Sequence, residues 1–307
     1  MQLRPVRPTV VTMTELPDGI TAVLDPMPGY RVETSACTGL VLRHGAHVLD
    51  WAPTGHQNVL WTSRKSHFEI GTPIRGGVPI CFPWFGNGRS GDLKPAHGFA
   101  RIVEWPLVDV AVDEDGTATL VFELRGDDVT SQPHSDHFPP GSIARYTVRM
   151  GAKLDLALTV VAGAERLDVE EALHTYFSVG NITKTHLVGL DNSPYWNKVT
   201  GHSKCQVGDV RFEGETDRIY KARGSVSIVD ELLGRKVKVG KDNSAKTVVW
   251  NPWVDKAKGM PDFSDEEWTG MLCVETANVG DALIHLAPGE SHTMCASIEI
   301  VIPKKKD

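Results

Sequence analysis

The sequence predicts an all-β protein folded as a large antiparallel β-sandwich, and three observations carry that prediction. Apolar residues alternate with polar ones in run after run, the period-two signature of strands with one buried face. Helical periodicity is almost absent. Glycine, proline and aspartate punctuate the runs at short spacing, with no helical crossovers between them, as in antiparallel sandwiches and barrels.

The elements follow in chain order. Asp113-Glu-Asp-Gly116 is a turn. After it Ala118, Leu120, Phe122 and Leu124 alternate with Thr117, Thr119, Val121 and Glu123. Ile143 to Met150 and Leu154 to Val161 flank Met150-Gly-Ala-Lys153, which reads as a hairpin turn. Near the end Met294, Ala296, Ile298 and Ile300 alternate with Cys295, Ser297, Glu299 and Val301. Val229 to Leu233 has room for one short helical turn. Gln132 to Pro140 is a polar loop rather than a boundary. No linker and no fixed-period repeat is visible, so residues 1–307 are expected to form one domain.

Composition narrows the function classes. The 307 residues are 41% hydrophobic, enough for a sizeable core. A net charge of −7 argues against nucleic acid as partner, because a phosphate-backbone footprint needs a basic face. A small anion held by a few arginines stays open. The one basic run, Lys304-Lys-Lys306, reads as a solvated tail. The five cysteines, 37, 81, 205, 273 and 295, are odd in number and lack C-x-x-C spacing. They read as small buried hydrophobes, reduced in a cytoplasmic setting. No apolar run of membrane-spanning length is present, and Met1 to Asp18 lacks the apolar core of a secretory signal. The expected partner is a small molecule, with no nucleic acid, no membrane, and a monomeric chain.

Chemistry concentrates between Arg75 and Arg101. Prolines 79, 83 and 95 and glycines 76, 77, 86, 88, 91 and 98 forbid a helix there. The result is an irregular loop holding two arginines, aromatic rings and His97, a kit suited to a sugar bearing an anionic group. Gly86-Asn-Gly-Arg-Ser-Gly91 matches G-x-G-x-x-G, yet Pro95 opposes the helix a dinucleotide site needs, so these are loop glycines.

Two further groups can move protons. In Leu167 to Phe177, read as one strand, Leu167, Val169, Leu173 and Phe177 share a face. Asp168, Glu170, Ala172, His174 and Tyr176 share the other. His174 can exchange a proton near neutrality; the plainer reading is a hydrogen-bonded structural histidine. Glu275 ends the apolar run Met271-Leu-Cys-Val, read as a central strand, where a carboxylate is costly unless paired or protonated. The plainer reading is a solvated glutamate just past the strand. His134-Ser-Asp-His137 and His44-Gly-Ala-His47 lack a third ligand at metal spacing and read as surface loops, so no metal and no cofactor is expected. Trp250-Asn-Pro-Trp253 is either a core cap or a platform for a pyranose.

Six segments in order resemble the glucose-6-phosphate 1-epimerases, or hexose-6-phosphate mutarotases, of the aldose 1-epimerase superfamily. They are Ile74 to Gly86, Ala96 to Arg101, Leu173 to Phe177, Glu215 to Tyr220, Val248 to Trp253 and Cys273 to Thr276. The resemblance implies a galactose mutarotase-like sandwich that interconverts the α and β anomers of a hexose 6-phosphate. It implies His174 as general acid on the ring oxygen and Glu275 as general base on the anomeric hydroxyl. It implies Arg75 and Arg101 at the phosphate-bearing substrate, Asp217 at sugar hydroxyls and His97 near the sugar. Some members place a contacting glutamine where this chain has Ala96, so that contact does not carry over. Two other readings stay open: a mutarotase of unphosphorylated aldoses, and a non-catalytic carbohydrate-binding sandwich.

Overall fold

The computed structural model describes residues 15–301. The Lys304 to Lys306 run and most of the Met1 to Asp18 segment lie outside the described residues. Two large sheets, every strand pair antiparallel, make the body of the molecule. The nine-stranded sheet runs Val210–Arg211, Thr185–Val188, Val226–Asp230, Arg235–Asp242, Ser291–Val301, Lys153–Val161, Ile143–Met150, Ala118–Arg125, Leu107–Val112. The eight-stranded sheet runs His202–Cys205, Pro194–Asn197, Thr216–Tyr220, Lys246–Asn251, Met271–Asn278, Glu171–Leu173, Ile80–Cys81, with Tyr176–Ser178 also paired to Met271–Asn278. A four-stranded sheet of Ile20–Val23, Gly29–Glu33, Cys37–Leu42 and His47–Pro53 joins the same core through Val32, Val41, Val48 and Trp51.

The main core lies between the large sheets. Leu120, Phe122, Leu124, Leu156, Leu158, Met294 and Ile298 enter it from the nine-stranded sheet. Leu173, Phe177, Val249, Leu272 and Val274 enter it from the eight-stranded one. The alternation read from the sequence is the reason: each of these strands puts every second side chain inward. On Met271–Asn278 the partners of that alternation, Cys273, Glu275 and Ala277, emerge on the opposite face, as Val248 and Trp250 do on Lys246–Asn251. That second face carries the site.

Some local expectations change. Val229 to Leu233 is not a helical turn, because Val226–Asp230 is a strand paired on both sides, and Asp230 caps the turn after it by accepting the Leu233 amide at 3.0 Å. The only α-helix among the described residues is Trp253–Lys258. Leu167 to Phe177 is three short strands: Leu167–Val169 pairs with Ile284–Leu286, whereas Glu171–Leu173 and Tyr176–Ser178 both pair with Met271–Asn278, on either side of an interruption at His174 and Thr175. Its apolar face is as expected, with Leu167, Val169, Leu173 and Phe177 all in the main core. His44 and His47 are buried rather than at a surface. Desolvation and the neighbouring His44 push the His47 imidazole down to about 3, so it is a neutral core group. Cys205 is exposed, unlike the buried cysteine expected there. No helix of the described residues is long and apolar enough to cross a membrane.

Candidate functional site

The Arg75 to Arg101 loop folds over the second face of the eight-stranded sheet. Only Ile80–Cys81 within it is a strand. Two glycines make the close approaches possible. A side chain at Gly77, with φ near +55°, would meet the Val48 carbonyl and the His47 ring. At Gly98, with φ near +74°, it would meet the Phe82 carbonyl. Both are left-handed positions that only glycine fills without strain. His97 also has positive φ, 67°, and is held by the Phe82 amide bonding to its carbonyl at 3.2 Å. Glu170 anchors the neighbouring turn, accepting the Phe85 amide at 3.0 Å and the Gly280 amide at 2.6 Å.

His174 stands at a break between two strands. Its amide donates to the Pro79 carbonyl at 3.0 Å, and Thr175 turns back onto Leu173 at 2.9 Å. The break lets the rings of His174 and Tyr176 stack, 4.7 Å apart and 13° from parallel. Glu275 lies inside its strand, opposite Val248, rather than at the strand end, since pairing continues to Asn278. The strand is central, as expected, with neighbours on both sides.

His174 Nε2 and Glu275 Oε1 are 3.4 Å apart. His174 Nδ1 and Glu275 Oε2 are buried without a hydrogen-bond partner, so each side of the pair keeps one unused polar atom. Such orphans call for a role. Burial holds the His174 imidazole well below its usual range, and the Arg101 and Arg75 charges add to that. Burial raises Glu275 well above the carboxylate range, helped by Asp217 and opposed by Lys198 and Arg101.

A pocket of about 350 Å³ opens over this pair, lined also by Arg75, His97, Asp217 and Trp250. Arg75 Nε donates to Asp262 Oδ2 at 3.0 Å, and its Nη1 donates to the Tyr176 hydroxyl at 3.0 Å. Asp217 sits opposite Trp250 and pairs with Lys198 at 3.2 Å. His97 packs edge-on against Phe85 at 4.6 Å and lies 5.8 Å from the His174 ring, centre to centre. Trp250 is both things considered for it: it packs with Tyr176, Cys273 and Phe263, and it walls the pocket. Trp253 packs against Trp268 instead, the rings 4.4 Å apart and tilted by 44°.

Five of the six sequence-derived site residues, His174, Glu275, Arg75, His97 and Asp217, thus line one pocket. Arg101 stands behind it. Its Nη2 donates to the Ala96 carbonyl at 2.7 Å, bracing the His97 turn, while Nε is buried and unpaired. Phe85, one of the aromatic rings of the loop, also lines the pocket, as do Lys198, Lys256 and Met260, which carry no sequence signal that marks them. His134 and His137 pack their rings against Trp84, 5.9 and 5.7 Å away. Among the described residues no group of three or more His, Cys, Asp or Glu is placed to hold a metal ion.

The model of the aldose 1-epimerase family matches residues 30–298. This chain belongs to the aldose 1-epimerase family. Within it, a protein of Escherichia coli (strain K12) named "Putative glucose-6-phosphate 1-epimerase" is 37% identical over 238 residues, 76% of this chain and 77% of that one. One of the same name from Cenchrus ciliaris is 34% identical over 268 residues, 83% and 78% of the two chains. A crystal structure from Salmonella typhimurium, titled as a putative mutarotase, superposes with a TM-score of 0.82 at 28% identity, over 94% of this chain and 97% of that one. The sandwich is therefore the galactose mutarotase-like architecture, and the family membership makes the chain an epimerase.

Proposed function

We propose that this epimerase interconverts the α and β anomers of hexose 6-phosphates, glucose 6-phosphate among them, by acid–base ring opening and closure. The observation that carries the proposal is the buried His174–Glu275 pair, 3.4 Å apart, in a pocket that Arg75 also lines. Opening a pyranose removes the proton of the anomeric hydroxyl and delivers one to the ring oxygen as the C1–O5 bond breaks. Rotation of the aldehyde about C1–C2 and closure on its other face give the second anomer. Glu275 is the base at the anomeric hydroxyl and His174 the acid at the ring oxygen. Asp217, tied to Lys198, takes sugar hydroxyls, and Trp250 and His97 wall the ring.

For this step the pair's one proton must stand on His174 and leave Glu275 a carboxylate. Burial disfavours both of those charges, and the Arg75 and Arg101 charges add to that at His174. A phosphate dianion bound at Arg75 offsets the Arg75 part of that repulsion. Arginine suits the task because its fork binds phosphate oxygens in pairs.

The test is anomer exchange measured by NMR on glucose 6-phosphate and on free glucose. Arg75→Ala lowers kcat/KM for the phosphorylated sugar by about 10–100-fold, the worth of a charged hydrogen bond, and leaves free glucose much less affected. Equal loss on both sugars overturns the phosphate role and favours an unphosphorylated aldose. Binding without any acceleration of exchange leaves only a carbohydrate-binding module.

A further inference from the structure

Beside the catalytic pocket, on the same face of the eight-stranded sheet, lies a second pocket of about 300 Å³. Strand register makes them neighbours. Glu275 is opposite Val248, Val248 opposite Ile219, and Ile219 opposite Trp196. Directly opposed residues of antiparallel strands share a face. This row therefore runs from the proton-transfer pair to the sheet edge over three strand spacings, roughly 14 Å. Val248 walls the first pocket; Ile219 and Trp196 wall the second.

The lining of the second pocket is particular. Trp196 is 45% exposed, although tryptophan is normally well covered. Ile219 and Val279 supply apolar lining in the same pocket. At the rim Asp281 bridges Lys221, at 2.8 Å, and Lys246, whose side chain is only 6% exposed. The carboxylate offsets one of the two ammonium charges; with the Lys246 side chain buried, the groups open to a ligand are Lys221 and Asp281, one donor and one acceptor of opposite charge. An aromatic side chain, an apolar lining and this polar rim match the two sides of a pyranose: its C–H face and its hydroxyl edge.

We propose that this pocket is a second glycosyl subsite, taking a neutral pyranose attached to the hexose phosphate whose anomeric carbon lies in the catalytic pocket. The inference rests on the anomerase reading of the first pocket and extends its substrate class to 6-phosphorylated disaccharides with a free reducing end. The subsite adds binding contacts and no chemical step.

The probes are maltose and cellobiose phosphorylated on carbon 6 of the reducing ring, compared with glucose 6-phosphate by NMR exchange. The expected result is exchange of at least one disaccharide phosphate, with kcat/KM falling about tenfold in Trp196→Ala, the scale of a buried aromatic contact. Glucose 6-phosphate changes less than twofold in the same variant. Ile219→Trp, which fills the pocket, is expected to repeat the pattern. Failure of both disaccharide phosphates to exchange overturns the proposal, as does equal loss, or no loss, on the two substrate classes. Absence of exchange on glucose 6-phosphate itself strikes the first pocket's reading instead. In that case calorimetric binding of the disaccharide phosphates to wild type and Trp196→Ala decides the subsite: tighter wild-type binding supports it, and equal or absent binding refutes it.

Discussion

Tyr176 joins the two halves of the site. Its hydroxyl accepts a hydrogen bond from Arg75 and its ring lies flat on His174. Tyr176→Phe removes the first contact and keeps the second. The expected outcome is a severalfold drop in preference for phosphorylated over free sugar, with free-sugar exchange nearly unchanged. Tyr176→Ala loses both, and exchange on either sugar should fall at least tenfold; steady-state exchange kinetics on the two sugars separate the variants. Alternation alone placed His174 off the apolar face and left it a structural or a proton-moving group, and Glu275 stood out as a carboxylate in an apolar strand; the roles proposed for them came from the family resemblance and not from spacing. Lys198, Asp262 and Lys256 were not legible. Each is an ordinary charged residue until strand pairing or a loop brings it beside Asp217, Arg75 or Glu215.

The Arg75 to Arg101 loop is an element whose shape, more than its secondary structure, matters. Its prolines and glycines announced an irregular path, and that path is what the structure contains. Which glycines are indispensable depends on what lies behind them, and sequence alone does not say. Gly98→Ala drives a methyl group into the Phe82 carbonyl at a left-handed position. It is expected to destabilise the fold by about 2 kcal/mol or more and to misplace His97, visible as a lower unfolding midpoint together with reduced exchange. Gly91→Ala, with open space around it, carries only the backbone penalty, about 1 kcal/mol. The break at His174 was not foreseen, because period-two alternation persists across it. The segments on both sides pair with Met271–Asn278 in one register, and no residue there signals a stop.

Across the whole molecule, the sandwich followed from alternation because each long strand is apolar on one side only. The second face of the eight-stranded sheet was harder to read. Cys273, Ala277, Val248 and Trp250 are buried on it too, under the loop and the helix, so the strands look apolar on both sides. Phe122 sits wholly buried in the main core, and Phe122→Ala is expected to cost about 3–5 kcal/mol, read by denaturant unfolding. Away from the site, His292 faces buried Glu171 at 3.1 Å, and that hydrogen bond raises its ionisation above the usual histidine range. A raised value in the folded state gives stability that is complete below about pH 6.5 and lost as pH rises through the folded value. His292→Ala should therefore lose roughly 1.5–3 kcal/mol at pH 6, and the gap to wild type should narrow by pH 9.

His174 and Glu275 act as one proton-transfer device in the proposed reaction. Anomer exchange of glucose 6-phosphate, followed by NMR in His174→Ala, Glu275→Gln and the double variant, tests it most directly. Each single change should lower the enzyme-catalysed rate by about 10²–10⁴-fold. The double variant should be little worse than either, because a broken pair cannot be broken twice. Near-normal exchange in either folded single variant would contradict the account.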